Sequence, residues 1–374
     1  MADLPSTPWG KAEALLGSGA LSSVYLLPAV GGQPRTAVKV MSKAIVTFLR
    51  ATKSVLQERA ALVTACAAQM RPPYIMCLLD AMHDADHIYL RLEAILVGAG
   101  TALQLRHLLR TFLSGLEPAA AACTAHCVAN ALAYLHSNHI AHRDVTPENV
   151  VLDASGIAKL VDLGSAKCMA DGEQTLTFCG TDMYMAPEML ARRGHGCRAD
   201  AWSLGVLICE ALCGRTLEAL ATAAELHADR SLVHRAVSGL AHGAAALVEG
   251  LLQEDPEERL SALAASQHVW LQSPDWAALC ACVHSTAQSL TNCEANDDVD
   301  EDTEERLWAA AEREDLHQRA EAAWVNGHRE EAMDAFEPFG AFANASVSAE
   351  QEMPCRRMVA EASSRTEHCP LQFE

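Results

Sequence analysis

The stretch His142-Arg143-Asp144-Val145-Thr146-Pro147-Glu148-Asn149, followed thirteen residues after Asn149 by Asp162-Leu163-Gly164, decides how this chain reads. The octapeptide follows Pro118–Ser137, an Ala-rich segment apolar at helical spacing with a proline suited to a first turn. It precedes two short apolar strands, Val150–Leu152 and Ala158–Val161, split by the turn Asp153–Gly156, so Asp162 stands directly after a strand. A His-Arg-Asp with an Asn five residues on arises by chance on the order of 10⁻⁶ per start. Any one of these acids could be a loop cap; the ordered set is hard to read as caps. Phosphoryl transfer needs a carboxylate to orient a hydroxyl and accept its proton, a role for Asp144, and hard oxygen ligands for Mg²⁺, a role for Asn149 and Asp162.

Upstream, Gly17-Ser18-Gly19-Ala20-Leu21-Ser22-Ser23-Val24 lies between the strand-like segments Ala14–Leu16 and Val24–Leu27. Small residues let backbone N–H groups close over a triphosphate, although such turns also make plain hairpins. Fifteen residues past Val24, Lys39 sits on the strand Ala37–Val40; nineteen further on, Glu58 falls in Ala44–Gln69, read as one helix. A lysine holding phosphates needs an acid to fix its rotamer, and Glu58 is placed to supply it. His87–Leu92 returns to strand-like alternation after the Pro72-Pro73 break. Downstream, residues from Gly100 to about Leu271 are mainly helical, and Cys197–Cys213 is apolar nearly all round.

The 374 residues, half of them apolar, suffice for two packed lobes and a tail. No apolar run reaches the roughly 18 residues of a membrane helix, and Met1–Gly10 has no signal-peptide pattern. The 14 cysteines show no repeated spacing, which reads as reduced thiols in a cytoplasmic protein. From Glu294 onward 21 acids face 7 arginines, a net of −14 out of −20, so the acidity belongs to the tail and argues against nucleic acid as a partner. The expected class is α+β: a β-rich small lobe over residues 9–93 and a helical lobe over 94–271. An acidic linker and helical tail follow over 272–345, with helices at Thr303–Asn326 and Arg329–Phe342, then a disordered end from 346 to 374.

The set resembles the protein kinase domain, a bilobal fold, over about Trp9 to Leu271. Ala186-Pro187-Glu188, Asp200-Ala201-Trp202-Ser203-Leu204-Gly205 and Arg259 fit further elements, with Glu188 and Arg259 implied to pair and Asp200 to be structural. Lys159–Lys167 and Thr175–Thr181 make it most similar to the cyclic-nucleotide-dependent members of the AGC group. The resemblance implies ATP and Mg²⁺ as cofactors, with nucleotide contacts at Leu16, Gly17 to Val24, Lys39 and Glu93. Partners would be a protein bearing serine or threonine and an upstream activating kinase acting at Thr177, whose phosphate Arg143 and Lys167 would receive. The eight or so residues before the first strand leave no room for a cyclic-nucleotide-binding domain, so direct cAMP or cGMP control within this chain is not expected.

Departures stand beside the matches. Thr146 replaces the family's lysine next to the catalytic aspartate, Leu163 the usual Phe, and Ser22 a third glycine. Ala99 replaces an acid that selects basic substrates, while Glu148 retains another. Phe336-Glu337-Pro338-Phe339 resembles a docking motif of the group's tail, and Ala320–Phe336 resembles a helical hairpin that needs a surface to pack on. An active kinase and a pseudokinase serving as an ATP-binding or scaffolding module both remain open; Lys39, Glu58, Asp144, Asn149 and Asp162 favour the first, Thr146 and Ser22 the second.

Overall fold

The computed structural model describes residues 4–67, 71–97, 103–170, 172–214, 242–272, 274–293, 314–321 and 324. After the short hairpin β1 (Ser6–Thr7) and β2 (Gly10–Lys11), a five-stranded antiparallel sheet forms from β3 (Ala14–Ser18), β4 (Ser23–Leu27), β5 (Thr36–Ser42), β6 (Leu78–His83) and β7 (His87–Glu93), in the order β3-β4-β5-β7-β6. Period-two alternation sorts its faces. Leu27, Val38 and Tyr89 turn to one side and bury with Ala12 against Trp9, Tyr25, Val40 and Met82. Val24 and Lys39, cross-strand partners, turn to the other. Edge strand β6 escaped the sequence reading, because Leu78-Leu79-Asp80-Ala81-Met82-His83 does not alternate cleanly.

The single helix read over Ala44–Gln69 is corrected to two, α1 (Lys43–Phe48) and α2 (Thr52–Ala67). Arg50 adopts a left-handed φ of 53°, the Arg50 N–H returns to the Thr47 carbonyl, and the Ala51 N–H returns to Val46. This is a helix-ending motif that usually takes glycine at the left-handed position, so the sequence gives no sign of it. Lys43, fully buried at the start of α1, is held through Nζ by His83 Nδ1 at 2.9 Å and the Asp84 carbonyl at 2.6 Å.

The other elements are mainly helical: β8 (Leu103–Gln104), α3 (Leu105–Thr111), α4 (Pro118–Ser137), β9 (Ile140–Ala141), β10 (Val150–Leu152), β11 (Ala158–Leu160), β12 (Lys167–Cys168), α5 (Pro187–Leu190), α6 (Arg198–Cys213), α7 (His242–Leu251), α8 (Ala262–Ser266) and α9 (Trp276–Cys293). α4 and α6 are buried along most of their length, the former mainly through alanine and leucine, the latter through Trp202, Leu204, Val206, Leu207 and Ile208. Between β10 and β11, Asp153 Oδ1 accepts from Ser155 N–H and Ile157 N–H, and Gly156 takes φ +79°, a side-chain-closed turn.

The chain divides into two compact units: Met1–Lys53 with Cys66–Ala94 and Val299–Glu374, and Ser54–Ala65 with Ile95–Asp298. The first is β-rich and the second helical, the α+β class read from sequence. In the first unit, residues 314–321 are helical within the expected Thr303–Asn326 helix. Ala320 and Trp324 bury against Ala44 and Ile45, and Arg319 lies 5.8 Å over the Phe48 ring. These tail residues thus pack on α1. The Phe336–Phe339 motif, the Arg329–Phe342 helix, the end from 346, and Ala99 lie outside the described residues. Among the described residues no helix is long and apolar enough to cross a membrane.

Candidate active site

The octapeptide hangs from a buried carboxylate. Asp200, fully buried in the first turn of α6, accepts from the backbone N–H of His142 at 2.8 Å and of Arg143 at 2.6 Å, and bonds His136 Nε2 at 2.8 Å. Burial alone would raise its carboxyl; the His136 bond, the charges of His136 and His142 and the Arg143 N–H outweigh it and hold the group below its ordinary value. Strand pairing closes the frame. β9, just before the octapeptide, pairs with β12, just after Asp162-Leu163-Gly164, so the two loops are tied at both ends. His142 Nε2 bonds the Val161 carbonyl at 3.1 Å, and Val161 N–H reaches the Asn149 carbonyl at 2.9 Å.

This frame brings Asp144, Asn149 and Asp162 to one place in the second unit. Asn149 Nδ2 donates to both the backbone carbonyl and Oδ2 of Asp144, each at 2.9 Å. Thr181 donates to Asp144 Oδ1 through its N–H at 3.1 Å and its hydroxyl at 3.0 Å. Asp162 takes a left-handed φ of 58° and accepts from Gly164 N–H at 3.1 Å. A Cβ built on Gly164 would stand 3.7 Å from Glu58 Oε2, so the buried Glu58 carboxylate also faces this corner.

In the first unit, Gly19 N–H closes the turn onto the Ser22 carbonyl at 2.8 Å, and the Ser18 and Ser23 hydroxyls meet at 3.0 Å. Leu16 to Ser23 are exposed or half-buried, and a Cβ on Gly17 would meet nothing within 4 Å. The register Val24↔Lys39↔Leu90 puts Val24 and Lys39 on the same face of the sheet. Glu93, expected at the nucleotide, has its carboxylate turned to Cys77 N–H at 2.7 Å and to Arg71 at 3.7 Å.

These residues fit Mg²⁺ and a nucleotide. Because Asn149 gives its Nδ2 to Asp144, its amide oxygen is the end left for a cation, and Asp162 adds a carboxylate, a hard-oxygen donor set. The small residues at 17–20 leave the backbone approachable, as a phosphate requires.

The protein kinase domain model matches residues 11–271. This chain belongs to the protein kinase family. Similar curated proteins are human cGMP-dependent protein kinase 2, 37% identical over 211 residues that cover 56% of this chain and 26% of that protein, and the Caenorhabditis elegans cGMP-dependent protein kinase egl-4, 31% identical over 280 residues, 71% of this chain and 34% of that one. The cAMP-dependent protein kinase catalytic subunit of Arthrobotrys oligospora is 37% identical over 201 residues, 54% and 36% respectively. The chain thus spans about a quarter to a third of the length of these relatives. Its likeness is to the AGC group's cyclic-nucleotide-dependent kinases.

Elsewhere in the kinase domain, Arg259 donates from Nη1 and Nη2 to the two oxygens of Glu188 at 2.7 and 2.9 Å. It lies 5.3 Å over the Trp202 ring and is 1% exposed. Its remaining donors reach the carbonyls of Gln253, Glu254 and Arg198, so this buried ion pair leaves little unsatisfied.

Three residues went unread in the sequence: Arg106, Glu210 and His136. Arg106 donates to Glu148 Oε1 at 2.7 Å, to Glu210, and to the Tyr184 hydroxyl at 2.8 Å, while that hydroxyl donates to Glu210. The bond from Arg106 pulls the Glu148 carboxyl down against the upward push of burial. Glu148 is therefore already engaged by a cation of its own chain. A signal existed: Glu210 follows the apolar run Leu204–Cys209 in α6, and a buried acid demands a cation. Thr146 is 1% exposed, and its side chain adds a small downward pull on the Glu148 carboxyl.

Thr177 is exposed, on the segment between Asp162 and Glu188. Of its two expected receptors, Lys167 is paired with Glu173 at 3.0 Å. Arg143 donates Nε to the Ser165 carbonyl at 2.7 Å and keeps a buried Nη1 with no hydrogen-bond partner among the described residues. Burial pushes the neighbouring Cys179 thiol up, the direction of an inert group.

Proposed function

We propose that this chain acts as a serine/threonine protein kinase, transferring the γ-phosphoryl group of ATP to a hydroxyl of a protein substrate. The observation that carries the reading is the Asp144 carboxylate, held on one oxygen by the Asn149 amide and on the other by Thr181. An oriented carboxylate of this kind can align a substrate hydroxyl and take its proton as the P–O bond forms. Asn149 and Asp162 would hold Mg²⁺. When bound, the cation would supply positive charge against the charge that develops on the phosphates. The turn 17–24 would cover the phosphates and Lys39 would hold them. Phosphate on Thr177, added by an upstream kinase, would engage the unpartnered Nη1 of Arg143 and so order the segment that carries Thr181. With Glu148 held by Arg106, a requirement for basic residues in the substrate gains no support from that acid.

A second reading, a nucleotide-binding scaffold without transfer, is favoured by Thr146, whose hydroxyl faces Glu148 where related kinases place a charge at the phosphate. One experiment separates the two: radiolabelled phosphate transfer from ATP to protein and peptide acceptors, wild type beside Asp144→Asn, each with and without phosphate on Thr177. The expected outcome is transfer by the wild type, cut about 10³-fold in the variant, with ATP binding unchanged. Binding without transfer in every arm would give the scaffold reading precedence; absence of ATP binding would end both.

A further inference from the structure

We propose that Cys66 and Cys77 form an oxidation site for peroxides, in which Cys66 reacts first and Cys77 resolves it to an intrachain disulfide. The two Sγ atoms stand 3.9 Å apart, with neither cysteine in a disulfide, and both are half-buried rather than sealed in the core. Cys66 lies in the last turn of α2, and Cys77 immediately precedes β6. The backbone fixes their approach. The Leu78 N–H donates to Cys66 Sγ at 3.3 Å, while the Cys77 N–H is anchored on Glu93 Oε1 at 2.7 Å, with Arg71 3.7 Å from the same oxygen.

The local chemistry favours a thiolate at Cys66. The bond with Cys77 outweighs burial, Arg71 and the Leu78 N–H add to it against the opposing charge of Glu93, and the thiol is lowered to about 7. Burial drives the other clearly shifted described thiols the opposite way, Cys123 and Cys197 to about 12 and exposed Cys168 upward as well. Reaction proceeds in two steps. The Cys66 thiolate attacks one peroxide oxygen, the O–O bond breaks, and the departing hydroxide takes a proton to become water, leaving Cys66 as a sulfenic acid. The Cys77 sulfur, deprotonated, then attacks Cys66 sulfur; the S–S bond forms, the S–O bond breaks, and a second water leaves. Two thiols are oxidised by two electrons and one peroxide is reduced. For the bond to form, the sulfurs must close from 3.9 Å to about 2.0 Å. The bridge would fix the end of the helix that carries Glu58 to the edge of the sheet. None of this depends on phosphoryl transfer.

The test uses the full chain, reduced, then exposed to hydrogen peroxide, alkylated and digested with trypsin. Residues 60–91 emerge as one peptide holding both cysteines, because Arg71 precedes Pro72 and escapes cleavage. After peroxide this peptide should be two hydrogens lighter and carry neither alkyl group, and dithiothreitol should restore both sites. In Cys77→Ser, whose hydroxyl can still donate to Cys66 Sγ in place of the thiol, dimedone should trap Cys66 as its sulfenic acid about fivefold faster than Cys168 at neutral pH, since the gain in thiolate is offset in part by lower nucleophilicity. A doubly alkylated wild-type peptide under conditions that oxidise Cys168 would overturn the proposal, and so would Cys66 labelling no faster than Cys168.

Discussion

Gly19 in the first unit and Gly180 in the second show glycine serving opposite needs in two regions of the molecule. At Gly19 the backbone is ordinary, the surroundings are exposed, and an added Cβ would meet only the Ser22 carbonyl at 3.8 Å. At Gly180 φ is +101°, and a Cβ would stand 2.5 Å from the Arg143 carbonyl and 3.6 Å from Asp144 Oδ1. The first position tolerates a side chain; the second is demanded as glycine by the protein itself. The same contrast runs through both regions. The turn over residues 17–24 is held by one backbone bond at its tip, whereas the loop over 142–149 is bonded through Asp200, Asn149, Val161 and Thr181. The groups that act on the transferred phosphoryl must be fixed in advance, while a cover over phosphates must admit and release them.

The loop side of this contrast breaks most severely at Asp200. Asp200→Asn removes the charge and turns an N–H₂ toward one of the two N–H donors of His142 and Arg143, which is then left unsatisfied in the core. The expected loss is about 3 kcal/mol of stability, read from urea midpoints. Its pH dependence has a definite sign. The folded carboxyl lies below its ordinary 3.8, so its contribution is present above that value and fades as pH falls through the lower folded one. The wild type should therefore lose stability more steeply on the acid side than Asp200→Asn; parallel acid limbs would show that Asp200 is not the group that anchors the loop.

Gly180→Ala is expected next in size. The methyl cannot fit beside the Arg143 carbonyl at the present φ, so the segment shifts and carries Thr181 off Asp144. A cost of about 2 kcal/mol in strain is expected, with a fall of about tenfold in kcat and little change in the KM for ATP. A change in KM for ATP alone would place this segment's work at the nucleotide instead of at Asp144.

How much of this was legible follows from what each residue must do. Asp144, Asn149 and Asp162 could be read because their chemistry needs particular side chains at nearly fixed spacing, and the helices around them because Pro118–Ser137 and Cys197–Cys213 are long and apolar. The structure's start for the second of these is Arg198, one residue later. The break at Arg50 could not be read, since a left-handed arginine looks like any helix residue. Nor could the clamp of Arg106 on Glu148 and Glu210, whose members are 42 and 104 residues from the arginine and meet only through tertiary packing. The nearness of Cys66 and Cys77 has the same character: an interval of eleven residues across a proline break carries no pattern, and only the turn of the chain from α2 into β6 brings the sulfurs together.

Thr146→Lys sharpens the comparison on the loop itself. Related kinases carry a lysine here, and a charged hydrogen bond is roughly twice as strong as a neutral one. Thr146 is buried two residues before Glu148, so a lysine amine would share its charge between that acid and the phosphate. A rise of about tenfold in kcat, worth about 1.4 kcal/mol, is expected with a smaller change in the KM for ATP. A flat kcat in a folded, active variant would mean that another cation already serves the phosphate.

The smallest effect belongs to Gly19→Ala, and its smallness is the point. No left-handed φ forbids the methyl, no neighbour lies closer than 3.8 Å, and the Gly19 N–H bond to Ser22 survives the change. Alanine also restricts the unfolded chain, which adds about 0.4–1 kcal/mol where the native backbone accepts it. The melting temperature should therefore hold or rise slightly. If phosphates pass beneath this turn, the methyl enters their space, and the KM for ATP should rise about threefold, or about 0.65 kcal/mol, with kcat nearly unchanged. A melting temperature lowered as far as that of Gly180→Ala would show that the two glycines answer to the same backbone demand. An unchanged KM with unchanged stability would place the phosphates away from Gly19, leaving Gly17, where a Cβ also meets open space, as the next position to fill.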